Sequence, residues 1–451
     1  MTVHIGRGSI IVDGPSDKVK SGLRRFRRKG GVGEYEDLFV TSGDEKSIVT
    51  MPGFADRIRR LCKGSDADIR DERNPMPSPD FDAAARGVSC VWKDVVVDAL
   101  GAGGGIVSIP DMFGTVDMVA AILRAFPREG LLERGTPLSF VATNGNAGKL
   151  ARKLREALPG RDVEALLPSG TDGEDVIVVP YSASIDFQYI YGGLFIGTDL
   201  QDIDFLSVAK NVSALRNAAR WGIWSTSHGC VPEIGMDAEG LFGPLCASAS
   251  YSDAVRARIG VPITVVWVPS PKPEGSIGSA PFSILEGVAM TRNVAFARLV
   301  AGIVRHVPND VGCIVCAERE DVARRISALL PGVVEVGLDL SAYRRKELVR
   351  DIENGTIRKA IVSKGAFPSE YDHGVIVLAN CSGDWLPGWN IPWRRAKGKT
   401  EKTYVVDFSH EWDRHNGRPG RLARNDEARM RSYSDMLFCQ MSVEGEEQLP
   451  F

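Results

Sequence analysis

The sequence predicts an α/β protein: two tandem parallel-sheet units behind a small N-terminal α+β domain. Three observations predict it. Short apolar runs alternate with helical patterns from about Phe81. The same alternation resumes after about Pro262. Ahead of both lies a basic segment closed by a proline-rich stretch, residues 74–79. Apolar strands bounded by helices read as parallel sheet buried on both faces, and the proline-rich stretch reads as a linker. The expected division is 1–80 for the small basic domain and its linker, 81–255 for the first unit and 256–451 for the second.

The chain has 451 residues, enough for two or three domains. It is 43% hydrophobic and 25% charged, which leaves room for a large core and a solvated surface. A net charge of -3 gives no global attraction to nucleic acid, so any such binding must come from local patches. The eight cysteines have no paired spacing suited to zinc, and no metal site is expected. Cys313 and Cys316 form the single CxxC, inside an apolar run that reads as a buried strand. Core cysteines fit a reducing cytosol. No signal peptide pattern opens the chain, and no run of about 18 apolar residues suggests a membrane span. The expectation is a cytoplasmic protein of a bacterial or phage-infected cell, with no membrane partner.

In the first segment, residues 8–15 read as a strand. Lys18 to Lys29 reads as an amphipathic helix, with Val19, Leu23 and Phe26 on one face. Its other face would carry Arg24, Arg25, Arg27, Arg28 and Lys29, either a solvated face or a patch that tracks phosphates. In the first unit, strands are expected at Gly105–Ile109, Leu138–Ala142, Val176–Val179, Leu194–Ile196 and Gly222–Ser225. Helices are expected at Val116–Phe126, Ala147–Leu158 and Phe205–Ala218. In the second, helices are expected at Thr291–His306, Arg319–Leu329 and Ser341–Glu353. Its strands are Gly312–Ala317, Val333–Val336, Lys359–Ser363, Gly374–Leu378 and Lys402–Asp407. Val268 to Gly287 reads as a loop or hinge. No internal repeat of 20–50 residues is visible.

The first unit opens on a glycine-rich approach, an apolar strand, a tight loop and a helix, Gly103 to Leu123. This is the layout of a phosphate-binding P-loop, where loop amides and the helix start cradle phosphates and a Lys reaches the outermost ones. The loop runs Pro110, Asp111, Met112, Phe113, Gly114, Thr115, Val116. Gly114 is in place. Thr115 stands where the Lys belongs, Val116 where a Mg²⁺-binding hydroxyl belongs, and Asp111 adds a negative charge.

Taken in order, these stretches resemble superfamily 2 helicases, with a flavour of phage UvsW-type and TFIIH-translocase-type members. Trp92 and Lys93 fall where the family carries an aromatic residue and an adenine-reading Gln. Leu138 to Leu150 resembles the strand and helix start that touch DNA phosphates. Asp175 to Ser184 resembles the strand ending in Thr-Tyr-Gln-Ser. Thr198 and Asp199 fall on the Asp and Glu of the Asp-Glu-Ala-His box, whose Asp holds Mg²⁺ and whose Glu activates water. Arg220 to His228 resembles the coupling motif, and Glu239 to Pro244 a stretch that precedes the second lobe. Downstream, Trp389 to Thr400 aligns with the arginine-finger motif. Arg394 takes the second arginine and Ile391 the place of the first. Arg429 and Tyr433 fit a closing Arg-x-x-x-Tyr.

The resemblance implies two tandem RecA-like domains. It also implies a pseudo-helicase, because the P-loop Lys, the Mg²⁺ hydroxyl, the Mg²⁺ carboxylate and one finger arginine are each replaced. No cofactor is then expected. The protein would bind nucleic acid, DNA in preference to RNA, or act as an architectural subunit beside a protein partner. Two alternatives stay open. One is an active, divergent ATP-dependent helicase or translocase using ATP and Mg²⁺. The other is a structural interaction protein that has left nucleic acid.

Overall fold

The structure is a computed structural model of the chain. It describes residues 1–6, 9–29, 32–73, 76–88, 90–110, 114–132, 138–165, 175–182, 192–203, 219–226, 235–256, 261–274, 281–363, 374–382, 402–415, 417–435 and 438–451. The chain divides into two compact units, Met1–Ser250 and Tyr251–Phe451.

The first unit begins with a small mixed sheet. Its strands are β1 (Thr2–Ile5), β2 (Ile10–Asp13), β5 (Phe39–Thr41), β6 (Ser47–Thr50) and β7 (Asp68–Asp71), in the order β5-β6-β2-β1-β7. Helices α1 (Asp17–Gly22) and α2 (Ala55–Cys62) pack on it over a core of Val3, Ile5, Ile10, Val12, Leu23, Phe54 and Ile58. Alternation in β2 is plain: Ile10 and Val12 are buried, Ile11 and Asp13 exposed.

The basic run is not one helix. Only α1 is helical, capped by the Ser16 side chain. Arg24–Lys29 forms strand β3, paired antiparallel with β4 (Val32–Asp37). The register explains the choice. It sets Arg24 opposite Asp37, Arg25 opposite Glu36 and Arg27 opposite Glu34. Opposite charges directly across a ladder favour the hairpin, whereas a helix would have crowded five cations together.

Two parallel sheets follow. The first contains β8 (Gly105–Pro110), β9 (Leu138–Thr143), β10 (Val163–Ala165), β11 (Val176–Pro180), β12 (Gly192–Gly197), β13 (Ala219–Thr226) and β14 (Leu245–Ser248). Their order is β10-β11-β9-β12-β13-β8-β14. The second contains β15 (Ile263–Pro269), β16 (Cys313–Ala317), β17 (Val334–Val336), β18 (Lys359–Ser363), β19 (Val375–Ala379) and β20 (Thr403–Ser409). After a short hairpin of β21 (Arg414–His415) and β22 (Arg418–Pro419), it ends with β23 (Cys439–Ser442). Its order is β17-β18-β16-β19-β20-β15-β23. Numbered by appearance, the strands of both sheets run 3-4-2-5-6-1-7. These are tandem RecA-like domains, each with its first strand inserted between the sixth and the seventh.

The core strands are largely apolar because both faces are covered. All residues of β8, β16 and β19 are buried. The helices that accompany the first sheet are α3 (Phe81–Ala85), which packs on its neighbours α4 (Cys90–Gly101) and α5 (Thr115–Ala125), then α6 (Arg128–Leu132), α7 (Ala147–Ala157) and α8 (Met236–Phe242). The second unit adds α9 (Tyr251–Arg256), α10 (Phe282–Glu286), α11 (Val294–His306), α12 (Glu320–Ser327), α13 (Ala342–Glu353) and α14 (Arg421–Asp435). The stretch read as a loop from Val268 to Gly287 thus includes the end of β15 and all of α10. A π-helical turn, Gly287–Thr291, joins α10 toward α11. The helix expected at Phe205–Ala218 lies outside the described residues. Cys313 and Cys316 are buried, and burial pushes the Cys313 thiol up to about 12 and the Cys316 thiol well above its ordinary range.

Within the first unit, α8 holds the small sheet domain. Arg57 pairs with Glu239, Arg60 lies 3.8 Å from the same carboxylate, and Arg25 pairs with Asp237. The Glu239–Pro244 stretch therefore has a structural duty. Gly53 sits against it so closely that a Cβ would collide with the Glu239 carbonyl and lie 2.6 Å from Gly243 N. Backbone cannot yield as a flexible side chain can. Gly53→Ala should therefore destabilise the first unit by about 1–3 kcal/mol in urea unfolding. Wild-type stability in that variant would mean the contact is loose.

Candidate functional site

The carboxyl edge of the first sheet is where an open α/β sheet offers a ligand site. Pro110 closes β8 and is buried. Asp111 lies outside the described residues. Gly114 is the residue before helix α5, with φ 78°, a conformation that favours glycine. Thr115 is the first helical residue and Val116 the second; both are half-buried. The first turn of α5 carries no basic side chain. Its one charge is Asp117, whose Oδ2 would lie 3.0 Å from a Cβ placed on Gly114. A carboxylate there complements the positive end of the helix dipole that a phosphate would otherwise use. The basic residue of α5, Arg124, is in the last turn and donates to the carbonyls of Arg86 and Ala157.

Asp199 stands farther along the same edge, just past β12. Its φ of 57° and ψ of 38° put it in the left-handed region. Two hydroxyls hold its Oδ2: Thr143 at 2.6 Å and Thr198 at 3.0 Å. Thr143 also accepts from Gly145 N at 3.0 Å, and the Ala142 carbonyl, 3.1 Å from the Thr198 hydroxyl, competes with Asp199 for its single proton. Tyr181 donates to the Thr198 carbonyl at 3.0 Å. Burial, and after it the Asp199 charge, push the Tyr181 hydroxyl well above its ordinary range, so it stays a donor. Gln201 accepts from Ser225 N at 3.2 Å and ties this turn to the end of β13. Thr198 and Asp199 are thus adjacent parts of one hydrogen-bonded turn. Thr143 is the member that sequence reasoning missed. A strand-end hydroxyl has no spacing signature.

Next to Thr143 the chain enters α7. Asn144, Gly145, Asn146, Gly148 and Lys149 are exposed, and Asn146 caps the helix by accepting from Lys149 N at 2.9 Å. Lys149, Arg152, Lys153 and Arg155 give α7 four cations.

The other expected residues fall elsewhere. Trp92 is buried in α4, as a core residue, while Lys93 is exposed. Arg24 pairs with Asp37 at 2.5 Å, and Arg25 with Glu36 and Asp237. The side chains of Arg27, Arg28 and Lys29 lie outside the described residues, as do Ile391 and Arg394. Arg429 and Tyr433 lie in α14 and are buried. Arg429 binds Asp407 through Nε at 2.9 Å and Asp426 at 2.9 Å, and Tyr433 donates to Asp407 at 2.7 Å. Burial opposes the Arg429 charge, but Asp407 and Asp426 outweigh it and raise its pKa. Among the described residues, no group of three or more His, Cys, Asp or Glu side chains is placed to hold a metal ion.

No family model matches the chain, and no curated protein matches it. Solved structures do. Phage T4 UvsW is 14% identical over 98% of this chain and 99% of its own, with a TM-score of 0.42. Dbp5 of S. cerevisiae bound to RNA and ADP BeF3 is 11% identical over 81% of this chain and 96% of its own, with a TM-score of 0.44. MrfA, a DUF1998 helicase bound to DNA, is 13% identical over 76% of this chain and 53% of its own, with a TM-score of 0.43. These likenesses concern the fold alone. The fold itself rests on the strand order and connections given above.

The strained turn makes a test. Asp199→Ala removes the Thr143 bond to the carboxylate, leaves the Thr198 proton to the Ala142 carbonyl, and leaves a Cβ residue in the left-handed region. It should cost about 1–3 kcal/mol in urea unfolding. Asp199→Gly should cost less, because glycine adopts this backbone freely. An alanine variant as stable as wild type would show that the carboxylate holds nothing.

Proposed function

We propose that this protein is a helicase-like chain that binds nucleic acid, or organises a nucleic-acid-processing complex, without effective NTP hydrolysis. The observation that carries the reading is the start of α5, where Thr115 follows Gly114 and the one first-turn charge is the carboxylate of Asp117. Triphosphate binding calls for a cation at that place, and phosphoryl transfer depends on positive charge gathered around the moving group. Asp199 is a single carboxylate whose Oδ2 accepts from the Thr143 hydroxyl and lies 3.0 Å from that of Thr198. It is one carbon shorter than the base of the family box. This donor set fits Mg²⁺ with a triphosphate poorly, and no catalytic step is derived through them. The alignment that puts Arg394 on one finger position and Ile391 on the other belongs to the same reading.

Nucleic acid has a better fit at the neighbouring helix. The start of α7 is exposed, glycine-rich and capped by Asn146, with Lys149 in its first turn. Backbone amides and a lysine at a helix start suit a phosphodiester. Arg24 to Lys29 is the second candidate, though Arg24 and Arg25 already have acidic partners. DNA in preference to RNA remains part of the proposal.

Equilibrium titration with a labelled single-stranded oligonucleotide checks this. Binding should be sequence-independent and fall steeply between 50 and 200 mM salt, by roughly 300-fold if six phosphates of a single strand are contacted. Lys149→Glu should weaken it and flatten the salt slope. Arg24→Ala with Arg25→Ala should have the smaller effect on affinity. Absence of binding at low salt would return the protein to a purely structural role.

A further inference from the structure

The small sheet at the start of the chain has two edges, and the sequence treats them differently. β7 closes one edge with Asp68, Ile69, Arg70 and Asp71. Its charges are paired: Arg70 with Asp68, and Arg59 and Arg73 with Asp71. Charged side chains are one way an edge strand resists the addition of another strand. β5 closes the other edge with Phe39, Val40 and Thr41, which carry no charge. Aromatic and β-branched residues favour strand pairing.

The ladder shows what this second edge offers. Ser42 N donates to the Ser47 carbonyl at 2.8 Å, so these two residues face each other in a hydrogen-bonded position. Such positions alternate along an antiparallel pair. Val40 and Val49 are therefore the next bonded position, and the N–H and C=O groups of Phe39 and Thr41 point away from β6. Among the described residues no other strand pairs with β5. Two donors and two acceptors thus stand in the alternate spacing that one more antiparallel strand satisfies.

The side chains add to this. A sheet with one face on its core is expected to be polar on the other. Instead Val40, Val49 and Ile11 lie side by side across β5, β6 and β2, and are 72%, 38% and 40% exposed. Phe39 packs against the core of the small domain. Beyond the end of β5, Asp44 and Glu45 are exposed. Asp44 accepts from uncharged donors, the Ser42 hydroxyl at 2.6 Å and the Lys46 amide at 3.3 Å.

We propose that the β5 edge receives an extended segment of a partner protein, added antiparallel as a further strand of the small sheet. The segment would exchange main-chain hydrogen bonds with Phe39 and Thr41. Opposite Val40, in the non-bonded position where side chains come closest, it would carry an apolar residue that lengthens the row. Asp44 and Glu45 call for a Lys or Arg on its N-terminal side. A second copy of this chain fits less well. Two β5 strands paired about Val40 would set Asp44 of one copy opposite Glu36 of the other, like charge facing like. The site takes no nucleic acid and stands apart from the reading above.

The probe is a blocked, fluorescein-labelled peptide, Lys-Thr-Val-Thr-Val, titrated into the full chain and followed by anisotropy. Val40→Lys puts a charge at an exposed position, as β7 does. Thr41→Pro removes an outward N–H and leaves the bonds to β6 in place. Both variants should weaken the peptide at least tenfold at an unchanged melting temperature, and Val40→Ile should bind as wild type does. A peptide with Glu in place of its Lys should bind more weakly, and Asp44→Asn with Glu45→Gln should narrow that difference. Sedimentation equilibrium of the chain alone covers the other occupant: self-association that Val40→Lys abolishes would assign the edge to a second copy and overturn the partner. Absence of peptide binding at millimolar concentration, or equal binding to wild type and Val40→Lys, overturns the proposal as well.

Discussion

Burial of both faces of a parallel sheet is the constraint from which the rest of this structure follows. Strands such as β8 and β19 have no solvent face, so polar chemistry is pushed to the sheet edges. With every ladder in the two large sheets parallel, all carboxyl ends lie on one edge. The hydroxyl and carboxylate cluster of Thr143, Thr198 and Asp199 forms there because the ends of β9 and β12 meet there. The opposite edge gathers the glycine run, Arg220 and the start of α2. One sheet thus offers two chemically different rims. At one, the first turn of α5 carries Asp117 as its one charge; at the other, Arg220 of the sheet meets Arg59 and Arg73 of the small domain around a cavity.

The second domain uses the same strand permutation but anchors its last helix by charge. Asp407 on β20, Arg429 and Asp426 on α14, and Tyr433 form a buried network. His410 joins it through Nδ1, 3.1 Å from Asp426 Oδ1, and its backbone N donates to the same carboxylate at 2.6 Å. Such a network adds little net stability over an apolar core, but removing one partner strands a buried charge. It fixes the pose of α14 on the sheet. The closing Arg-x-x-x-Tyr of the sequence is, in this structure, a pair of buried anchors to Asp407.

Much of the fold was legible because its strands are continuous apolar runs. Gly105–Ile109, Leu138–Ala142, Val176–Val179 and Lys359–Ser363 were readable to within a residue or two. The edge strands β14 and β23 were not, since Leu245–Ser248 and Cys439–Ser442 are short and carry little β propensity. Positions 19, 23 and 26 fit a helical stripe, yet the chain turns at Leu23. The acidic residues that decide for a hairpin lie across a turn, where a helical window cannot weigh them. The shared strand order of the two domains leaves no trace in the sequence because it is a likeness of topology and not of short repeats. At the site, Thr198 and Asp199 were found by their order along the chain. Thr143 was not, because it lies far from Asp199 in sequence and meets it only across the sheet edge.

The central proposal is that this tandem RecA-like chain lacks effective NTP hydrolysis. Phosphate release from Mg-ATP, measured at steady state with and without single-stranded DNA, tests it most directly. The account predicts release no faster than in buffer under both conditions, with Asp199→Asn indistinguishable from wild type. DNA-stimulated release that Asp199→Asn abolishes would contradict it.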